Sequence, residues 1–99
     1  MWSLLAIGNL TLILALGAGP DLNFGCPVLI KSAEDSITRA GAMTLGPEAR
    51  ALVEQAKTTL AEAKKNQASA RAKIDYANCM WKARTAQAQA EAAAAISSP

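Results

Sequence analysis

The chain has 99 residues and a net charge of +2, from ten basic and eight acidic residues, so at most one domain is expected. The charges alternate in sign along residues 48–84, which indicates a solvated helix surface and no nucleic-acid partner. The chain lacks histidine, the commonest general base and metal ligand, so we expect no catalytic residues, no metal and no cofactor.

The N-terminal segment, residues 1–19, is strongly apolar. It contains three polar residues, Ser3, Asn9 and Thr11, and no charge precedes Asp21. As a helix it is roughly 28 Å long, close to the roughly 30 Å of a bilayer core. The pattern predicts an apolar helix that contacts a membrane, as a cleaved signal peptide or as an uncleaved anchor. The first basic residue is Lys31, so the orientation of an anchor stays open.

Residues 20–31 contain two prolines and one glycine, which predicts a connector without helix. Gly25 followed by Cys26 resembles the end of the lipobox of bacterial lipoproteins, which makes Cys26 a candidate for lipidation. In an exported protein Cys26 could instead pair with Cys79, and their spacing leaves both alternatives open.

A short helix is predicted over residues 33–43, within an alanine-rich helical domain that spans residues 32–99. Ser32 and Asp35 have the spacing of a capping box at its start. Gly46 and Pro47 then mark the end of one helix and the beginning of the next.

Residues 48–98 lack glycine and proline, and their apolar residues recur with alternating spacings of four and three. This pattern predicts an all-α chain that ends in one long alanine-rich heptad helix. The candidate interface residues on this seam are Val53, Leu60, Ile74, Ala77 and Trp81. The seam continues beyond them through Arg84, Ala88, Glu91 and Ala95, where we expect weak packing because large residues are missing.

An antiparallel helical hairpin is the alternative architecture. In it the chain turns near residues 64–69, Leu60 faces Ile74, and Val53 faces Trp81. Asn66 would end the first helix and Ser69 would begin the second.

The alanine-rich stretch resembles two groups of bacterial proteins. The segment that begins Gly46-Pro47-Glu48, together with Asp75-Tyr76 and the alanines that follow, is similar to the helical domains of small envelope proteins of unassigned function. The alanine seam also resembles the murein lipoproteins, which form trimeric coiled coils. Those proteins end in a lysine that is joined to peptidoglycan, whereas this chain ends in Ser97-Ser98-Pro99, so covalent wall attachment is not implied.

These patterns predict a non-enzymatic protein of the bacterial cell envelope that acts by helix–helix assembly, as a structural or accessory subunit. Its partner is a second copy or another helical protein. One alternative is a spanin-like anchored coiled coil that bridges membranes, which requires the long continuous helix. The other is a small enzyme built on Asp75, Tyr76, Cys79 and Lys82, although a charged helix face with a buried cysteine is the simpler explanation of those residues.

Overall fold

The computed structural model describes residues 22–98, with side chains from Gly25 onward, so the apolar helix predicted over residues 1–19 lies outside the described residues. The described residues form three α-helices and no strand, which confirms the all-α prediction. The helices are α1 (Leu22–Gly41), α2 (Pro47–Ala68) and α3 (Lys73–Ser97). Cys26, Leu60 and Cys79 lie in one cluster, and Ala40, Val53 and Ala93 lie in another. Helices α1 and α3 therefore run in the same direction, and α2 runs antiparallel to both.

Helix α1 occupies residues that the sequence pattern assigned partly to a connector. It runs Leu22–Gly41 and contains Pro27, so the connector predicted over 20–31 is wrong from Leu22 onward. Pro27 cannot donate the backbone hydrogen bond of its turn, but burial of one continuous face outweighs that loss. The buried or half-buried positions on this face follow the spacing of a heptad seam: Cys26, Ile30, Ala33, Ile37 and Ala40.

The long continuous helix predicted from residue 48 onward is also wrong, because the chain turns between Ala68 and Lys73. The hairpin alternative is the architecture observed, although its turn falls at the end of the predicted range. Ser69 ends α2, with its backbone N–H donating to the carbonyl of Lys65 at 3.1 Å. No glycine or proline marks this turn, so the sequence carries little signal for it.

The buried face of α2 is the predicted seam, and that of α3 is not. In α2 the buried residues are Ala49, Val53, Ala56, Leu60 and Ala63. In α3 they are Cys79, Ala83, Ala86, Ala90 and Ala93, two positions further along than the predicted series. The predicted pairs of Val53 with Trp81 and Leu60 with Ile74 are therefore replaced. Val53 lies in one cluster with Ala93, and Leu60 lies in another with Cys79 and Ala83.

The core consists of two clusters joined along the three seams. One surrounds the cysteines and Leu60, and the other surrounds Val53 at the opposite end of the bundle. Nine of the fourteen buried hydrophobic residues in the described part of the chain are alanines. Alanine removes little area from water, so this core contributes less stabilisation than a core of leucines would. It also lets the helix backbones approach closely, which is why the part of α3 beyond Arg84 packs well despite its small side chains.

Candidate helix-docking face on α3

The structure separates the five predicted interface residues into two groups. Val53 and Leu60 are 4% and 7% exposed and belong to the core of the bundle itself. Ile74 and Trp81, by contrast, are 64% and 65% exposed, and Ala77 between them is half-buried. The internal fold therefore accounts for the first two residues and leaves the other three wholly or partly exposed.

The exposed members form a row along the side of α3 that points away from the bundle. We call this row the outer face; it comprises Ile74, Ala77, Trp81, Arg84, Ala88, Glu91 and Ala95. All of them except Ala77 are exposed. Residues two apart on an α-helix lie about 200° apart around its axis, so the row is opposite the buried series that begins at Cys79. Helix α3 thus carries two heptad-spaced rows, one inside and one outside.

The apolar centre of the outer face is a shallow depression around Trp81. Its walls are formed by Ala77, Met80, Trp81 and Arg84. Met80 is half-buried and packs against the core cluster of the two cysteines. The Thr85 hydroxyl donates to the carbonyl of Trp81 at 2.9 Å, within the helix. A large aromatic ring in this position covers little of its own chain, and such rings are enriched at the centres of protein interfaces.

A disulfide between Cys26 and Cys79 fixes α1 to α3 directly behind this depression. Their Cα atoms are 5.9 Å apart, a usual separation for a disulfide, and both side chains are fully buried. The pairing alternative for the cysteines is therefore the one observed. A sulfur in a disulfide has no thiol left for acylation, so the structure favours pairing over lipidation at Cys26.

The start of α3 is held by the Asp75 carboxylate. One of its oxygens accepts hydrogen bonds from the backbone N–H groups of Arg71 and Ala72, at 2.9 and 3.0 Å. These bonds hold the pKa of Asp75 below its ordinary value. These hydrogen bonds fix the end of the turn that precedes α3. They therefore also fix the position of Ile74, the first residue of the outer face.

Three of the four residues considered as an enzyme site have structural roles in the fold. Cys79 is in the disulfide, and Asp75 caps α3. The Lys82 ammonium lies 3.6 Å from the Glu62 carboxylate and links α3 to α2. Tyr76 lies in the first turn of α3 and is half-buried.

The remaining surface of residues 22–98 has fewer features of a binding site than the outer face. A shallow groove between α1 and α2 is crossed by an ion pair from Lys64 to Glu34, 2.8 Å long. Within the described residues we find no group of acidic, cysteine or histidine side chains placed to hold a metal ion. Of the three described helices, none combines the length and apolar character that a membrane span requires.

The heptad spacing of the sequence includes the outer face but does not show that this row is exposed. The predicted seam passes through Trp81, Arg84, Ala88 and Glu91, all of which lie on this face, because the spacing of the buried seam of α2 continues into this row without a break. The alternation of charged residues and alanines beyond Trp81 was the signal that this row faces outward.

Comparison with known proteins adds no relative: no family model matches the chain, and neither a curated protein nor a solved structure is significantly similar to it.

Proposed function

We propose that this chain is a non-enzymatic helical protein of the bacterial envelope, which assembles with a helical partner through the outer face of α3. Its role is that of a structural or accessory subunit. The observation that carries the proposal is the row of exposed apolar residues, with Ile74 and Trp81 each about two thirds exposed on the side of α3 opposite the core.

Two independent features support the proposed location of the protein in the cell envelope. Disulfides persist in oxidising compartments such as the bacterial periplasm and are rare in the cytosol, and both cysteines of this chain are in one. The apolar character of residues 1–19 favours export or membrane contact. Together they support a bundle on the outer side of the cytoplasmic membrane.

The packing supports a binding role because the fold leaves this face unused. The core is complete without Trp81, since the inner row of α3 already contacts both other helices through its alanines. A helix that presents large apolar residues at heptad spacing on its outer side is suited to lie against another helix. The spanin-like alternative loses its main support, because α3, with 25 residues, is the longest described helix and is only about 37 Å long.

Site-specific photo-cross-linking in the host cell tests the proposal. A benzophenone amino acid replaces Trp81 in one variant and Ala51 in a matched variant. Both positions are exposed and helical, but residue 51 lies on α2 away from the outer face. We expect a discrete adduct from position 81 and none from position 51. Equal labelling at the two positions, or none at position 81, overturns the proposal.

The intact mass of the protein recovered from the envelope tests its processing and oxidation. A mass that lacks two hydrogens supports the disulfide. Cleavage near residues 17–19 supports a signal peptide, whereas a retained Met1 supports an anchor. A reduced protein recovered from the cytosol contradicts the location proposed.

A further inference from the structure

We propose that the occupant of the outer face is a second copy of this chain, docked antiparallel about a two-fold axis that passes beside Ala88. This inference rests on the proposed function, and it names the partner. It follows from the order of large, small, positive and negative residues along α3.

The register follows from the heptad spacing of the outer face. Relative to Ala88, Trp81 lies seven residues before and Ala95 seven residues after. An antiparallel copy centred on Ala88 therefore places Trp81 over the second copy's Ala95, and the same contact is repeated by symmetry. In this arrangement the largest residue of the row meets one of its smallest, as in knobs-into-holes packing.

At the centre of the pair, small size permits close approach. The two Ala88 side chains face each other across the axis, and both are exposed in the single chain. Helices with alanine at the contact pack at the short end of the usual 8–10 Å separation of axes. Close approach lets the flanking side chains of the two copies reach each other.

The charges of the row match in the same register. Arg84 lies four residues before Ala88 and Glu91 three residues after, so each Arg84 comes beside the second copy's Glu91. Neither residue makes an ion pair within residues 22–98. Glu91 accepts a hydrogen bond from the neutral Gln87 amide at 3.3 Å, which leaves its charge uncompensated. Two unpaired opposite charges on one exposed row are thus compensated by two-fold symmetry.

Other arrangements of two copies match less well. A parallel pair in register sets Arg84 against Arg84 and Glu91 against Glu91, which is repulsive. An antiparallel pair centred on Arg84 sets the two guanidinium groups against each other at the axis. Of these three arrangements, the register about Ala88 alone matches both size and charge, along the part of the row from Trp81 to Ala95.

Cysteine cross-linking of the full chain in a mild detergent tests the register. Ala88→Cys introduces a thiol that faces its own copy across the axis. Ala95→Cys is the matched control, since it lies on the same row but its two copies are about 21 Å apart in this register. Both native cysteines are in the disulfide, so each variant has one free thiol. Mild oxidation should convert Ala88→Cys to a covalent dimer and leave Ala95→Cys monomeric.

Charge reversal in the Ala88→Cys background tests the ion pairs. Arg84→Glu or Glu91→Arg alone creates two like-charge contacts, and we expect each to lower the dimer yield at limiting concentration about tenfold. An equimolar mixture of the two variants restores opposite charges in the mixed dimer. The yield should therefore recover, and mass spectrometry should find mainly the mixed species.

The outcomes distinguish this inference from the proposed function. Equal cross-linking of Ala88→Cys and Ala95→Cys, or none of either, overturns the antiparallel dimer. So does a mixture of charge variants that cross-links no better than either variant alone. If position 81 nevertheless forms a discrete photo-adduct with a different protein in the cell, the docking role of the outer face stands and only the identity of the partner is wrong.

Discussion

At the scale of single residues, the tight alanine core restricts the volume of each buried side chain. Ala56 is fully buried in the middle of α2. We expect Ala56→Leu to lower the free energy of unfolding by about 1–3 kcal/mol, because the added methylene and methyl groups must displace neighbouring backbone. Thermal melts followed by circular dichroism measure the change.

Ala51→Leu is the matched control for that substitution, since Ala51 is exposed on the same helix and leucine has nearly the helix propensity of alanine. It should change the free energy of unfolding by less than about 0.5 kcal/mol. Equal effects at positions 51 and 56 contradict a packed alanine interior.

Asp75 gives the bundle a pH-dependent component of stability. Its pKa is lowered in the folded protein, first by the hydrogen bond from the backbone N–H of Arg71 and then by that from Ala72. A lowered folded-state pKa stabilises the fold at pH values above the unfolded pKa, about 3.9, and this contribution is lost as the pH falls through the folded value. We expect Asp75→Ala to melt below the wild type at neutral pH, and the two melting temperatures to converge as the pH is lowered. A difference that stays constant under acid conditions contradicts the cap.

At the scale of elements, the two helix prolines should have opposite effects on stability. Pro27 lies inside α1, where it removes a backbone donor and its ring crowds the preceding turn. Pro47 is the first residue of α2, a position where no donor is needed and where its fixed φ favours the helix. We expect Pro27→Ala to raise the free energy of unfolding by about 1–2 kcal/mol, and Pro47→Ala to leave it unchanged or slightly lower it. Urea denaturation measures both, and stabilisation of similar size at both positions refutes the distinction.

The elements also show what the sequence could and could not predict. The buried row of α2 was predictable because Val53 and Leu60 alternate with alanines on one face. The row of α3 was not, because alanines occur on both of its faces and the turn after Ala68 contains no residue that breaks a helix. A residue-level signal for that turn was Asp75, because acidic residues are favoured in the first turn of a helix.

The same ambiguity explains why the predicted interface residues are divided between the core and the surface. Heptad spacing identifies a face that can pack against a helix, but it does not say whether that helix belongs to the same chain. Trp81 and Ile74 fit the spacing and are exposed, whereas Val53 and Leu60 fit it and are buried. The start of α1 was not predictable because Pro27 indicates a break in a helix when only its neighbours in sequence are considered. The features that hold this part of the helix in place, the disulfide and the packing of its seam, involve residues far away in the chain.

At the scale of the whole molecule, stability depends on the cross-link to an unusual degree. The core contains few large side chains, with Ile30, Val53 and Leu60 as its main aliphatic members. The disulfide joins residues 53 apart in the chain, and restricting an unfolded loop of that size is worth about 4 kcal/mol in a chain-entropy estimate. A small domain typically has a net stability of about 5–15 kcal/mol, and a thin core places this one at the low end.

Reduction should therefore unfold the bundle or leave it marginally stable. We expect a reductant to lower the melting temperature of helicity by more than 10 °C, since about 1 kcal/mol corresponds to several degrees in a domain of this size. The double variant Cys26→Ala with Cys79→Ala should melt near the reduced wild type and be insensitive to reductant, which separates loss of the cross-link from other effects of the reagent.

The disulfide also holds α3, which carries the outer face. Reduction should therefore abolish the photo-adduct at position 81, measured as before against the control at position 51. Unchanged helicity and an unchanged adduct in the reduced protein mean that the alanine core maintains the fold without the cross-link.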